Sequence, residues 1–149
     1  MATSQRPPDP FRGFKFRVVI EGLENMGFRE ASGLDAATDA VDYREGEDKG
    51  DFMRKLTGLQ KYSNITLKRG ITNDQRLWKW RQDIIDGNIQ KSRKDGQIFL
   101  LDELGQDAAE WTFSQGWPTK WTGPAFNATA NEVAIDTLEI AHEGLKRVK

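Results

Sequence analysis

A change of hydrophobic period inside residues 62–87 constrains the fold of this chain more than any other feature. The first part of this stretch alternates between two faces, with Ile65 and Leu67 on one of them, and this period of two predicts a strand. Gly70 ends the alternation. From Asn73 onward the apolar residues recur every three or four positions, which predicts one amphipathic helix.

The predicted helix has a signal at each end and one apolar stripe. Asn73 can accept hydrogen bonds from the first free amides, and Gly87 can adopt the left-handed conformation that closes a helix. The residues that we expect to pack against the core are Leu77, Trp78, Trp80, Ile84 and Ile85. A helix of about four turns cannot bury this stripe by itself, so we expect it to pack on a sheet.

Several short alternating segments predict a domain that is mainly β. Residues 14–20 form the clearest strand, and a turn at 23–25 predicts a hairpin with a weaker strand over 28–32. Further strands are predicted at 37–43, 62–68, 98–101, 111–115 and 131–142. Two packed sheets that form a β-barrel or sandwich, with one flanking α-helix, are the fold class that this pattern predicts.

Three details of the second half can be checked against a structure. Asp95-Gly96 is predicted to be a turn, and Gly116-Trp117-Pro118 is predicted to bend the chain. The last segment is a strand by its β-branched residues, although a helix is the alternative. Its large apolar residues occupy odd-numbered positions up to Ile135 and even-numbered positions from Leu138 onward. This change predicts a bulge or a strand that leaves one sheet for the other.

Two segments do not fit a compact core. Residues 1–13 contain three of the five prolines and are predicted to be an extended N-terminal arm, because proline cannot donate to a sheet ladder. Residues 44–56 begin as a charged, glycine-containing run and then carry apolar side chains. Such a loop is often functional, and the alternative is that Phe52 and Leu56 fold back onto the core. The loop residues that we single out are Arg44, Glu45, Glu47, Asp48, Lys49, Asp51, Phe52, Met53 and Leu56.

Composition excludes several classes of function. The 149 residues fit one domain, and 22 basic against 23 acidic residues argue against a binder that relies on bulk positive charge. The absence of cysteine excludes disulfides and thiolate chemistry. His142 is the only histidine, and no G-x-S-x-G elbow or phosphate loop is present, so we expect no enzyme activity, metal or cofactor.

The sequence also predicts where the chain is made. It contains no apolar run of membrane-spanning length, and its N-terminus lacks the apolar core of a signal peptide. We therefore expect no membrane segment and synthesis in the cytoplasm. A monomeric β-barrel that binds a small ligand or single-stranded nucleic acid stays open as an alternative, because residues 62–80 combine aromatic and basic side chains.

Several blocks in a fixed order resemble the tail tube protein family of contractile phages and of phage-derived contractile injection systems. The blocks cover nearly the whole chain, and none is decisive alone. They are DPFRGFKFRVVIEG at 9–22, GLQKYSN at 58–64, ITLKRG at 65–70, LWKW at 77–80, WPTK at 117–120 and NEVAIDTLEIAHEG at 131–144. The architecture is also similar to that of the haemolysin-coregulated protein of type VI secretion.

The resemblance implies a role as a structural subunit. It implies that residues 14–149 form one tail tube domain, that six copies form a ring around a lumen, and that residues 44–58 form a loop that contacts the next ring. The partners that it implies are other copies of the chain, a surrounding sheath protein, baseplate and terminator proteins at the ends, and DNA or protein cargo in the lumen. The chain is then expected in a phage tail or an injection particle.

Overall fold

The computed structural model describes residues 13, 15–24, 26–47, 50, 53–129 and 132–149. Nine strands and two helices are assigned in this part of the chain. In chain order they are β1 (Phe16–Ile20), β2 (Glu30–Ser32), β3 (Ala36–Tyr43), β4 (Arg54–Tyr62), β5 (Ile65–Gly70), α1 (Arg76–Ile85), α2 (Ile89–Ser92), β6 (Lys94–Leu101), β7 (Asp107–Thr122), β8 (Ile135–Ala141) and β9 (Gly144–Arg147). The predicted N-terminal arm lies outside the described residues, except for Gly13.

Six strands form one antiparallel path in the order β1-β6-β7-β8-β5-β2, and β9, the seventh strand of this sheet, pairs with β7. Residues 107–116 of β7 pair with β6, and residues 117–122 pair with β8. The long strand β7 therefore belongs to two sheet halves. Among the described residues β1 and β2 do not pair with each other, so the fold is a sandwich of two packed halves rather than a closed barrel. The predicted class is confirmed in its sandwich form.

One hydrophobic core lies between the two halves. Ile20 and Ile98 come from the β1-β6 half, whereas Ile65 and Ile140 come from the β5-β8 half, and all four belong to one buried cluster. Ile65 and Ile140 have no exposed surface. Because each half contributes alternate side chains of its strands, burial of these apolar faces holds the two halves together.

The strand β7 crosses between the halves without ending. Gln115 has a positive φ of 54°, and its N–H donates to Oδ1 of Asp95 at 3.0 Å. The predicted bend at 116–118 is therefore a change of direction inside a continuous strand. The predicted turn at Asp95-Gly96 is wrong, since both residues lie in β6. A Cβ at Gly96 would lie 2.3 Å from the ring of Phe113, so this glycine makes room for a core ring.

The helix α1 is shorter than predicted and begins differently. Asn73 is not its cap. Instead the Oγ1 of Thr72 accepts from the N–H of Asp74 at 3.2 Å, and Oδ1 of Asp74 accepts from the N–H of Arg76 at 3.0 Å. At the other end Gly87 has a φ of 92°, as predicted, and its N–H donates to the carbonyl of Ile84 at 3.2 Å.

The apolar stripe of α1 is narrower than predicted. Leu77 and Trp80 are buried, and Ile84 is half-buried. Trp78 and Ile85 were expected in the core, but they are 50% and 60% exposed. Since α1 packs on the sheet with one side only, spacings of three and four place 77, 80 and 84 on that side and leave the flanking residues in solvent.

Two pairing predictions are wrong. The strands β1 and β2 do not form a hairpin, because β1 pairs with β6 and β2 pairs with β5. Between them Leu23 and Met26 are buried in the core, so this connection crosses from one half to the other. The segment β8 is a strand and not a helix, but its register with β5 is regular. The strand that changes sheets is β7.

Candidate assembly surface

The strands β3 and β4 form a two-stranded sheet of their own, which continues the pairing of β2 with β5. Ser32 lies opposite Thr66, and four residues further along each strand Ala36 lies opposite Tyr62. The four strands are therefore one long hairpin whose root belongs to the body. We call β3, β4 and the connection at 44–53 the projecting hairpin. At about 3.3 Å per residue, the eight residues of β3 span roughly 26 Å.

The side chains of the projecting hairpin are exposed almost throughout. Within β3 and β4 only Asp39 and Tyr62 are half-buried. Five large apolar or aromatic side chains are at least 39% exposed: Val41, Tyr43, Met53, Leu56 and Leu59. An isolated two-stranded hairpin is only marginally stable in water, and exposed apolar surface of this kind is typical of a contact with another molecule.

The two faces of the projecting hairpin differ in chemistry. On one face Val41 lies opposite Leu56, and a Cβ at Gly58 would lie 3.0 Å from Cγ2 of Val41. The valine therefore lies over the glycine and extends the apolar surface. Strand alternation places the following residues on this side, which we call the apolar face: Ala36, Thr38, Val41, Tyr43, Arg54, Leu56, Gly58, Gln60 and Tyr62.

The opposite side, which we call the ion-pair face, carries two cross-strand pairs. Lys55 contacts Asp42, and Nζ of Lys61 lies 3.1 Å from Oδ2 of Asp39. Leu59 lies on the same face and is 74% exposed. Exposed pairs of this kind contribute little to stability, about 0–1 kcal/mol. They leave this face with no net charge.

The tip of the projecting hairpin is only partly described. Nη2 of Arg44 donates to the carbonyl of Gly50 at 2.8 Å. The hydroxyl of Tyr43 donates to Oε1 of Glu45 at 2.7 Å, and this bond raises the pKa of Tyr43 above its ordinary value. The predicted contact residues that lie outside the described residues are Asp48, Lys49, Asp51 and Phe52.

The connection is shorter than the predicted loop at 44–58. Because β4 begins at Arg54, Leu56 lies on a strand and not in a loop. Leu56 is also 46% exposed, so the alternative in which it folds back onto the core is wrong. Val41, Tyr43 and Leu59 were not among the predicted contact residues, although the structure places them on the same two strands.

The body has free strand edges close to the root of the hairpin. Within the described ranges, β2 pairs only with β5, and residues 117–122 of β7 pair only with β8. The outward face of this sheet half is polar and balanced in charge. It carries ion pairs between Lys68 and Glu30 at 3.6 Å and between Lys120 and Glu139 at 3.8 Å.

The alternative ligand-binding barrel would need a cavity between the sheet halves. The space between the sheet halves is filled by the core side chains. A concave surface of about 870 Å³ lies beside the hairpin root, where Tyr62 faces Val19, Gln97 and Thr112. It is an open groove, whereas a small-molecule site normally encloses most of its ligand.

Comparison with known proteins gives one family match and several structural matches. The model of the family described as T4-like virus tail tube protein gp19 matches residues 12–146. A chain of the extended sheath-tube complex of the extracellular contractile injection system PVC is 29% identical, with a TM-score of 0.78, over 93% of this chain and 91% of that chain. A chain of the tube-terminating cap of the anti-feeding prophage is 28% identical, with a TM-score of 0.79, over 98% and 95%.

More distant similarity extends only to the fold. Hcp1 from Flavobacterium johnsoniae is 15% identical, with a TM-score of 0.56, over 90% of this chain and 94% of that chain. No curated protein sequence matches the chain at a significant level. Among the described helices, neither is long and apolar enough to span a membrane.

Proposed function

The chain belongs to the T4-like virus tail tube protein family, and from this premise we propose that six copies join edge to edge into a ring and that the rings stack around a lumen. The protein is a structural subunit of the inner tube of a contractile tail or injection system. The observation that carries the proposal is the projecting hairpin, which exposes apolar side chains that the body cannot cover.

Ring formation uses the free strand edges of the body. Residues 117–122 of β7 and the edge of β2 lie at opposite ends of one sheet half. A head-to-tail contact between two different edges repeats around an axis, and it leaves no open edge in this sheet half when the ring closes. This explains how a soluble tube subunit keeps its unpaired backbone groups from uncontrolled aggregation.

The polar outward face of that sheet half lines the lumen. It carries two ion pairs, Lys68 with Glu30 and Lys120 with Glu139, and each pair has no net charge. A lining without net charge and without apolar patches binds neither DNA nor protein strongly, so either cargo can pass. Its role is structural and includes no catalytic step.

Stacking uses the apolar face of the projecting hairpin, which contacts the next ring. Val41 and Leu56 lie opposite each other at its centre, and burial of such side chains stabilises an interface by about 1.5–3 kcal/mol each. The ion-pair face keeps its charged groups in water. Because related chains occur in a sheath-tube complex and in a terminating cap, we propose that this tube also has a sheath around it and baseplate and terminator proteins at its ends.

Serine substitutions on the two faces of the hairpin test the stacking role. The double variant Val41→Ser and Leu56→Ser is expected to keep its rings but to need at least about tenfold more protein for tube formation, since two apolar contacts are lost. Light scattering after size-exclusion chromatography measures the rings, and electron microscopy measures tube length. Leu59→Ser on the ion-pair face is the matched control and leaves tubes unchanged.

Two outcomes would contradict the proposal. A wild-type protein that stays monomeric at high concentration, with sheath and baseplate proteins present, would exclude the tube. Equal loss of tubes in the double variant and in Leu59→Ser would show that the apolar face has no special role.

A further inference from the structure

The root of the projecting hairpin is weakly fixed by its own backbone. Between β4 and β5 the ladder is interrupted, and the N–H of Ser63 donates to the carbonyl of Asp35 over a long 3.4 Å. Gly33 has a φ of 90° here, and a Cβ on it would lie 2.1 Å from the carbonyl oxygen of Asn64. Two segments of the chain therefore cross closely where the ladder is interrupted, and few backbone hydrogen bonds fix the direction of the hairpin there.

His142 bridges this break from the body. It follows directly after β8, and its Nε2 lies 3.1 Å from the carbonyl oxygen of Ser63. Because a carbonyl can only accept, Nε2 carries the proton and donates. The other ring nitrogen, Nδ1, is buried without a partner among the described residues. The one available polar bond of this ring is therefore directed at the hairpin root.

The imidazole ring also packs between the hairpin and the core. Its centroid lies 5.6 Å from that of Tyr62, the last residue of β4, and 6.0 Å from that of Phe113 in β7. Both ring pairs are tilted, with interplanar angles of 47° and 46°, and their centroids lie within the contact distance of aromatic pairs. His142 thus touches the last residue of the projecting strand on one side and the core on the other.

The neighbours of His142 hold it in place. The next residue, Glu143, donates its N–H to the carbonyl of Ser114 at 3.0 Å, and its carboxylate pairs with Arg93 at 2.7 Å. Both partners belong to the body. The backbone at 142–143 is therefore fixed to the body, and only its side chain reaches across to the hairpin.

We propose that His142 is a positioning residue that sets the direction in which the hairpin projects. This proposal rests on the proposed function in one respect. A fixed direction is important because the hairpin contacts the next ring. The hydrogen bond to Ser63 and the contact with Tyr62 together define that direction. His142 does not contribute to the ring contact itself.

The direction of the hairpin can be measured without assembly. The chain has no cysteine, so spin labels at Glu47→Cys on the tip and Lys79→Cys on α1 report one distance by double electron–electron resonance. The sample is diluted with unlabelled protein to isolate each copy. We expect one narrow distance in the unsubstituted His142 background and a clearly broader distribution with His142→Ala. An unchanged distribution would overturn the proposal.

Two further substitutions separate the two contacts of the ring. His142→Gln keeps an N–H donor, whereas His142→Phe keeps the ring and removes the bond to Ser63. We expect both to restore part of the narrow distribution. Equal broadening in all three variants, with unchanged thermal unfolding, would support the positioning role and show that it needs the hydrogen bond and the ring contact together. Broadening with a large loss of thermal stability would assign His142 to the core instead and would overturn the proposal.

A tube-formation assay tests the positioning role of His142 together with the stacking role of the hairpin, and its results distinguish failure of one from failure of the other. We expect His142→Ala to form rings but to need about five- to tenfold more protein for stacking, since a hydrogen bond and a ring contact are lost. If the distance broadens while stacking is unaffected, the positioning role holds and the stacking role of the hairpin fails. If Val41→Ser with Leu56→Ser abolishes stacking while the distance in His142→Ala stays narrow, the stacking role holds and the positioning role fails.

Discussion

The body and the projecting hairpin of this chain use similar apolar side chains in opposite ways. In the body Ile65 and Ile140 have no exposed surface, whereas on the hairpin Val41 is 48% and Leu56 is 46% exposed. The body satisfies its own apolar faces by packing one sheet half on the other. In the part of the chain that the structure describes, the hairpin has only one layer, and no other element covers its apolar face. This exposure of apolar residues on a regular strand pair supports the stacking role that we propose.

This contrast also separates two kinds of stability. Truncation in the body is expected to change the free energy of unfolding of one chain, because the core is a single cluster that spans both halves. Truncation on the hairpin is expected to change association between chains, because those side chains have few neighbours in one copy. Substitutions that violate this division would show that the two regions are not independent.

The largest expected effect is loss of core packing in the body. Ile140→Ala removes a fully buried side chain and is expected to lower the free energy of unfolding by about 2–5 kcal/mol. Leu56→Ala is the matched substitution on the hairpin and is expected to lower it by less than about 0.5 kcal/mol, as at other surface positions. Chemical denaturation of the dissociated protein measures both values. Similar losses for the two variants would contradict the division.

A smaller difference is expected for two glycines in equivalent settings. A Cβ at Gly96 in the body would lie 2.3 Å from the ring of Phe113, whereas one at Gly58 on the hairpin would lie 3.0 Å from Cγ2 of Val41. Gly96→Ala is therefore expected to cost about 1–3 kcal/mol by overpacking. A Cβ at Gly58 would also lie 3.1 Å from the carbonyl oxygen of Asp39. Because these contacts lie on an exposed strand pair and not in the core, Gly58→Ala is expected to lower the unfolding midpoint less than Gly96→Ala does. A more severe effect of Gly58→Ala would mean that the hairpin belongs to the cooperative core.

The sequence predicts the elements of the body well where one period dominates. Residues 65–70 alternate between buried and half-buried positions, as predicted, and the helix lies where the spacing of Leu77 and Trp80 places it. The prediction of a buried side chain is wrong for Trp78, because the hydrophobicity of a side chain does not show which side of a helix faces the sheet. In the structure this ring packs edge-on against Trp121, with centroids 5.3 Å apart, at the surface.

Long-range pairing is harder to predict than local structure. The hairpin between β1 and β2 was expected from a nearby turn, but each strand finds a partner far along the chain. Likewise Pro118 and Gly116 look like breaks, although β7 passes through both. Proline is tolerated here because β8 pairs with this part of β7 through a shifted register, between Pro118 and Lys120.

The assembly surface was predicted in part. The alternation of Val41 with Tyr43 predicts a strand, and the charged run after it predicts a solvated connection. The sequence does not show that β4 begins at Arg54 and pairs back along β3, because residues 54–62 do not alternate clearly between apolar and polar. Only the paired register shows that Val41 and Leu56 share a face.

The smallest expected effect concerns stability in acid, and it also distinguishes the body from the projecting hairpin. Hydrogen bonds from the side chain and backbone of Arg76 lower the pKa of Asp74 from 3.8 to about 2. Because the folded state holds this pKa below its unfolded value, the ionised carboxylate stabilises the body above about pH 4. That contribution is lost as the pH falls from 3.8 through about 2. Asp74→Asn is expected to reduce the melting temperature slightly at pH 5 and to have a smaller effect near pH 2, where the carboxylate is partly protonated in the folded state.

The hairpin supplies the control for this pH series. Asp42 forms an exposed ion pair with Lys55 on the ion-pair face, and exposed pairs contribute little to folding stability. Asp42→Asn is therefore expected to leave the melting temperature unchanged at both pH values. A melting temperature that responds to Asp42→Asn as strongly as to Asp74→Asn would mean that the hairpin unfolds together with the body. The hairpin would then be part of one cooperative unit even before a neighbouring ring covers it.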